Sequence, residues 1–213
     1  MIKIPFEKLE NNDSVGFQKK CREIANDLFC NYCIKCNEKE FFFAEIEFYY
    51  WDKNHWNEKW NRVTYPRICN PGKLFYHLSG IDICFDSYYN ERNLNDEARF
   101  GGILIRAIRS EDGIVIAGPL NCMLCLLNEC KDGNMPKIMS SNKSNIQEKD
   151  IKQTYRALGK DDRQEDQNHH LELCFYDSSI KEWNHHKVSL NKKSGFLVKY
   201  QTNYNTDRFD SEK

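Results

Sequence analysis

Neither sign of charge prevails in this 213-residue sequence: 31 lysines and arginines stand against 32 aspartates and glutamates, for a net charge of −1. A chain so balanced has no global attraction for a phosphate backbone, which argues against a protein that coats DNA by charge alone. The short basic segments at 18–22 and 191–193 leave room for a local patch, although such runs are ordinarily solvated faces. Long hydrophobic runs are missing as well. Nothing approaches the roughly 18 apolar residues of a spanning helix, and the opening MIKIPFEKLE lacks the apolar stretch of a secretory signal. A cytoplasmic protein without membrane association is expected. Repeats are lacking, and so is any boundary that would split the chain into two cores. Residues 1–213 are therefore read as one domain, of a length that buries a substantial core, and the 40% hydrophobic and 30% charged content is that of a globular protein.

Cysteine, by contrast, is plentiful, with ten residues. Small disulfide scaffolds are shorter and secreted, so these thiols are expected to be reduced. Cys30-x2-Cys33-x2-Cys36 and Cys122-x2-Cys125 with Cys130 have the spacing of structural zinc pairs, and a zinc-stabilised interaction protein is the reading they would carry. However, CNYCIKC at 30–36 reads as a strand leaving a first helix, which puts Cys30 and Cys33 on opposite faces. Cys122 and Cys125 fit an inward helix face, where free cysteine is commonly buried. No metal and no cofactor is expected. The adjacent pairs His169-His170 and His185-His186 lack a partner motif and receive no role.

Asn12-Asp13-Ser14 offers helix-capping chemistry, and Phe17, Cys21, Ile24, Ala25 and Leu28 follow at helical spacing, which predicts an amphipathic helix over roughly 15–29 packed on a sheet. EFFFAEIEFYYW at 40–51 is too aromatic and β-prone for anything but a strand, with Phe42, Ala44, Ile46 and Phe48 on one face and Glu45, Glu47 and Tyr49 on the other. Pro71-Gly72 marks a turn, after which 74–78 and 81–85 read as two strands, or one bent strand, around Ser79-Gly80. Gly101-Gly102 opens a strand at 103–108. Gly118-Pro119 stops an apolar stretch and starts a helix near 120–129, with proline where its missing N–H costs least. The polar stretch 139–153 and the charged stretch 159–167 read as surface loops, and 171–176 and 195–200 as final strands.

Arg106 interrupts the apolar run Ile103-Leu104-Ile105-Arg106-Ala107-Ile108, and a guanidinium there requires a carboxylate acceptor. Glu45 and Glu47 supply two on one strand face, where as i and i+2 neighbours they repel unless a positive charge or a proton separates them. Such a group serves either as a structural ion pair or as a water-activating site beside an aromatic ring. His55 lies beyond the strand in WDKNHWNEKW, whose tryptophans either cover a core edge or stack on a planar ligand.

In order, Glu45-Ile46-Glu47-Phe48-Tyr49, His55, Pro66-Arg67, Pro71-Gly72-Lys73-Leu74-Phe75-Tyr76, Ser79-Gly80 and Ile103-Leu104-Ile105-Arg106-Ala107 resemble the active-site half of the alkyladenine (3-methyladenine) DNA glycosylases. The family runs E-x-E-x-Y, a histidine, P-R, P-G-x-L-Y, Y-G and V-L-I-R-A. Weaker agreement at the first helix, at Gly118-Pro119 and at Tyr155–Gly159 extends the resemblance over roughly 15–176. It implies an α+β fold, a single domain built on a curved antiparallel, open barrel-like sheet with flanking helices, and a base-excision hydrolase that needs no metal. By the same resemblance Glu47 is the general base for attack at the sugar C1′ and Arg106 holds the water and the carboxylate. Tyr49 stacks on an extruded base, and His55 hydrogen-bonds to it or to its flanking phosphate. His77 stands where the family has a second stacking tyrosine, Asp86 where it has a gating asparagine, and Ser79 where it has a tyrosine wedge. Glu47 and Tyr49 share a strand face, so a base stacked on the ring lies within reach of water held by the carboxylate. The expected activity is cleavage of an N-glycosidic bond of a modified base, in nucleic acid or in a nucleoside-type small molecule, by a monomer. A non-catalytic base- or partner-binding module on the same fold is the alternative.

Overall fold

The computed structural model describes residues 14–52, 67–88, 98–130, 133–155 and 173–180. In chain order, helix α1 (Ser14–Asn31) leads into strands β1 (Tyr32–Cys36) and β2 (Lys39–Asp52), and a hairpin follows from β3 (Leu74–His77) and β4 (Gly80–Cys84). Strands β5 (Arg99–Ser110) and β6 (Val115–Ala117) precede helix α2 (Pro119–Glu129). Then come β7 (Lys137–Ser140), a 3-10 helix at Glu148–Asp150, β8 (Ile151–Tyr155) and β9 (Leu173–Asp177). The strands form one curled antiparallel sheet in the order β3-β4-β5-β2-β1-β7, with β6 on β5, β9 on β2 and β8 on β9. The fold is α+β, a single domain in which, among the described residues, the sheet carries two α-helices. None of the described helices is long and apolar enough to cross a membrane.

Strand β2 is the spine. One edge pairs with β5 from Phe41 to Asp52; the other pairs with β1 at Phe41 and its predecessors and with β9 from Glu45 to Phe48. Both helices lie on one face of the sheet. Leu28 and Phe29 of α1 and Cys122 and Leu126 of α2 join Phe43, Ile46, Phe48, Ile83, Ile103 and Ile105 in the main core. Each fully buried phenylalanine or isoleucine there stabilises the fold by about 1.5–3 kcal/mol. Helix α2 starts as the sequence suggests: Gly118 has φ 98°, which suits glycine, and Pro119 occupies the first turn.

Several expectations are corrected. Phe42 does not share the core face with Ile46 and Phe48, because a bulge in the β2–β5 register between Phe43 and Ile46 inverts the alternation. Phe41 and Phe43 reach the core before the bulge and Ile46, Phe48 and Tyr50 after it, while Ala44 packs with Ala107 and Ala117 in a small separate cluster. Cys30 lies in the last turn of α1, not in a strand. Finally, 139–153 is not all loop, since it holds the end of β7 and the start of β8; β7 is an edge strand with mostly exposed side chains, so it carries no apolar period. Gly101-Gly102 lies inside β5, which begins at Arg99. A Cβ on Gly101 would stand 2.5 Å from the Tyr49 carbonyl oxygen and 2.9 Å from the Tyr50 Cα, so glycine there permits close approach of β5 to β2. The expectations at 159–167 and 195–200 lie outside the described residues.

Candidate active site

The face of β2 turned away from the helices carries Glu45, Glu47 and Tyr49. Cross-strand pairing places Glu47 opposite Leu104 of β5 and Cys174 of β9, and Leu104 in turn opposite Asp82 of β4. Tyr49 is opposite Gly102, which is opposite Cys84. Glu47, Tyr49 and Asp82 thus belong to two adjoining rows on one face of three strands, although they come from separate parts of the chain.

Arg106 stands at the same irregularity that bulges β2. Its Nε donates to Glu45 Oε1 at 2.7 Å, and its Nη1 donates to Glu47 Oε2. Its backbone carbonyl accepts from the Gly118 N–H at 2.7 Å, which ties the start of α2 to this position. Glu47 is 1% exposed and Glu45 6%. Burial works against the Arg106 charge, but the two carboxylates outweigh it and hold the guanidinium protonated beyond its usual range. One cation between two carboxylates resolves the i, i+2 repulsion expected from the sequence.

A second network adjoins the first. Asp82, wholly buried, accepts from Arg67 Nη1 at 2.6 Å and from the Tyr49 hydroxyl, and Arg67 Nη2 also donates to the Tyr49 oxygen at 2.7 Å. The Arg67 guanidinium lies over the rings of Phe75 at 4.5 Å and Tyr49 at 5.5 Å. Room for it comes from Gly102, where a Cβ would stand 3.2 Å from Arg67 Nη2. Burial and then the Asp82 charge push the Tyr49 phenol well above its ordinary pKa, so it keeps its proton and donates. His77 Nε2 lies 3.2 Å from Asp82 Oδ1, and the Ser79 backbone N–H donates to His77 Nδ1 at 3.2 Å.

The structure brings together Glu47, Arg106, Tyr49 and His77. It does not bring Asp86 to them: Asp86 forms an ion pair with Arg99 at 2.6 Å beyond the end of β4, with the Asp86 side chain half-exposed. His55 lies outside the described residues. Asp82 escaped sequence reasoning, and Arg67 entered it only within the Pro66-Arg67 motif, with no role assigned. Asp82 stands in the apolar run Ile81-Asp82-Ile83-Cys84 just as Arg106 stands in its own strand, and the same argument from a buried charge would have found it. Arg67 follows Pro66 in a segment with no periodicity to mark it as inward-facing.

Among the described residues no three His, Cys, Asp or Glu side chains are grouped to hold a metal ion. Cys122 is buried on the inner face of α2, as its spacing suggests. Compared with protein-family models, with curated proteins and with solved structures, the chain finds no match.

Proposed function

We propose that this protein is an N-glycosylase-like hydrolase that cleaves the N-glycosidic bond of a modified base with water activated by Glu47. The observation that carries the reading is the Glu47 carboxylate, held by Arg106 on the same strand face as Tyr49 and two residues from it. The order of motifs shared with the alkyladenine DNA glycosylases supports it. In the reaction, water attacks the sugar C1′ as the bond to the base nitrogen breaks, and Glu47 accepts the proton released by the water. Arg106 keeps the carboxylate oriented, with Glu45 balancing its second set of donors. Tyr49 and His77 belong to the base-binding side, fixed by Asp82 and Arg67. The substrate is nucleic acid containing a modified base, or a nucleoside-type small molecule.

One observation favours the second reading, a base- or partner-binding module without catalysis: Glu47 is almost fully buried and bonded to Arg106, as in a structural ion pair. Base release measured on alkylated, deaminated and single-stranded oligonucleotides and on free nucleosides separates the two. Release from at least one substrate class is expected of the hydrolase, and ligand binding without release of the module.

A further inference from the structure

Strand β9 flanks Glu47 on the side away from β5. Ser178 donates to the Asp150 carbonyl at 2.8 Å, so Ser178 turns its backbone groups to β8, and Tyr176 and Cys174 do the same at every second residue. Phe175 and Leu173 therefore bond to β2, and Glu47 and Cys174 stand opposite each other as a pair without backbone hydrogen bonds between them. On the other flank Phe85 donates to the Gly101 carbonyl at 3.2 Å, so Gly101 and Ile103 turn to β4, and Leu104 bonds to Glu47. Side chains lie closer in the unbonded kind of pair, with Cα atoms about 4.5 Å apart against about 5.5 Å in the bonded kind. Cys174 is thus the nearer of the two cross-strand neighbours of Glu47. Leu173 and Phe175 belong to the main core, which puts Cys174 on the same face as Glu47, and Cys174 is buried. Leu104 can only pack against the carboxylate, whereas a thiol can also donate to it.

We propose that Cys174 is a positioning residue for Glu47, its S–H donating to the carboxylate from the β9 side while Arg106 Nη1 donates from the β5 side. A single donor leaves a carboxylate able to turn about its last side-chain bond, and a second donor on the opposite flank stops the turn. A general base gains from this because a small misplacement of the accepting oxygen slows proton transfer steeply. Burial works against the Arg106 charge, and Cys174 acts with Glu45 and Glu47 to restore it, in keeping with a thiol beside this ion pair. The thiol touches neither the base nor the sugar; it acts through Glu47. The inference rests on the hydrolase reading.

The test compares the full chain with its Cys174→Ala and Cys174→Ser variants in base release from the alkylated, deaminated and single-stranded oligonucleotides and the free nucleosides, with melting temperatures measured alongside. Cys174→Ala should lower kcat by about tenfold and leave KM within about twofold. Cys174→Ser, which restores a donor at the same point, should recover most of the rate. In a Glu47→Gln background the alanine substitution should slow release no further, because the group that the thiol orients no longer accepts the proton. An alanine variant as fast as the parent, a serine variant no faster than alanine, or full slowing in the Glu47→Gln background overturns the positioning role and leaves the hydrolase reading standing. A slowing that both variants share together with a lower melting temperature assigns Cys174 to packing and overturns it as well. A parent that releases no base from any of these substrates ends the hydrolase reading and this inference with it.

Discussion

Arg67 Nη1 and Asp82 Oδ2 stand 2.6 Å apart with side chains 2% and 0% exposed, an ion pair that water scarcely touches. Burial opposes the charge on Arg67, and the Tyr49 oxygen and the Asp82 carboxylate hold it protonated all the same. Removing one partner leaves the other charged and dry. Asp82→Asn should lower unfolding free energy by roughly 3–5 kcal/mol, read from urea denaturation. The double variant Arg67→Met with Asp82→Leu should be much more stable than the sum of its own singles, Arg67→Met and Asp82→Leu, predicts, because neither charge then remains to be desolvated; a double as unstable as that sum would show the two side chains to be uncoupled.

Gly101 should tolerate no side chain. In Gly101→Ala the added methyl meets backbone atoms of Tyr49 and Tyr50 inside 3 Å, and backbone on the spine strand cannot move without disturbing the register that carries Glu47. A loss of about 1–3 kcal/mol is expected. Gly113→Ala, with nothing within 4 Å of the added Cβ, provides a comparison, though its φ of 85° makes it costly by strain alone.

Much of this arrangement is legible in the sequence. The aromatic run at 40–51, the helix before it and the Gly-Pro start of α2 all carry strong local signals, because burial on one face writes a period into the residues. The lone Arg106 likewise calls for the carboxylates it has. What the period cannot show is the bulge at Ala44–Glu45, which costs one residue of alternation and so assigns Phe42 to the wrong face. Nor can it place β7, whose side chains are mostly exposed, or the partnership of Arg67 with Asp82, which a turn and a strand separate.

Alkaline pH should weaken the fold. Burial raises the thiols of Cys33 and Cys125 to about 11, and those of Cys21 and Cys122 well above the ordinary value. In the unfolded chain these thiols ionise near about 8.5. Between the two values the unfolded state binds fewer protons than the native state, so unfolding becomes easier as pH rises. Stability should be level below about pH 8 and fall from there toward pH 11 with a slope on the order of 1 kcal/mol per pH unit or more. Urea midpoints measured across that range check it; a midpoint that does not move would place the thiols in water.

Binding to undamaged duplex DNA should be weak at physiological salt. With a net charge of −1 and no global attraction for phosphate, only the non-specific range of about 10⁻⁴ to 10⁻⁶ M or weaker is expected. Fluorescence anisotropy on a labelled duplex measures this, and nanomolar, salt-resistant binding would contradict it.

The Glu47 carboxylate is the centre of the account, and Glu47→Gln is the variant that isolates it. The amide keeps the side chain's shape while removing its capacity to accept a proton, and Glu45, 2.7 Å from Arg106 Nε, still balances the guanidinium. Base release and melting temperature measured together on parent and variant are the decisive pair. The predicted result is release slowed by about 10²-fold or more, with substrate binding and melting temperature largely kept. A variant that loses stability, beside a parent that releases no base from alkylated, deaminated or single-stranded substrates, would contradict catalysis and leave Glu47 and Arg106 as a structural pair.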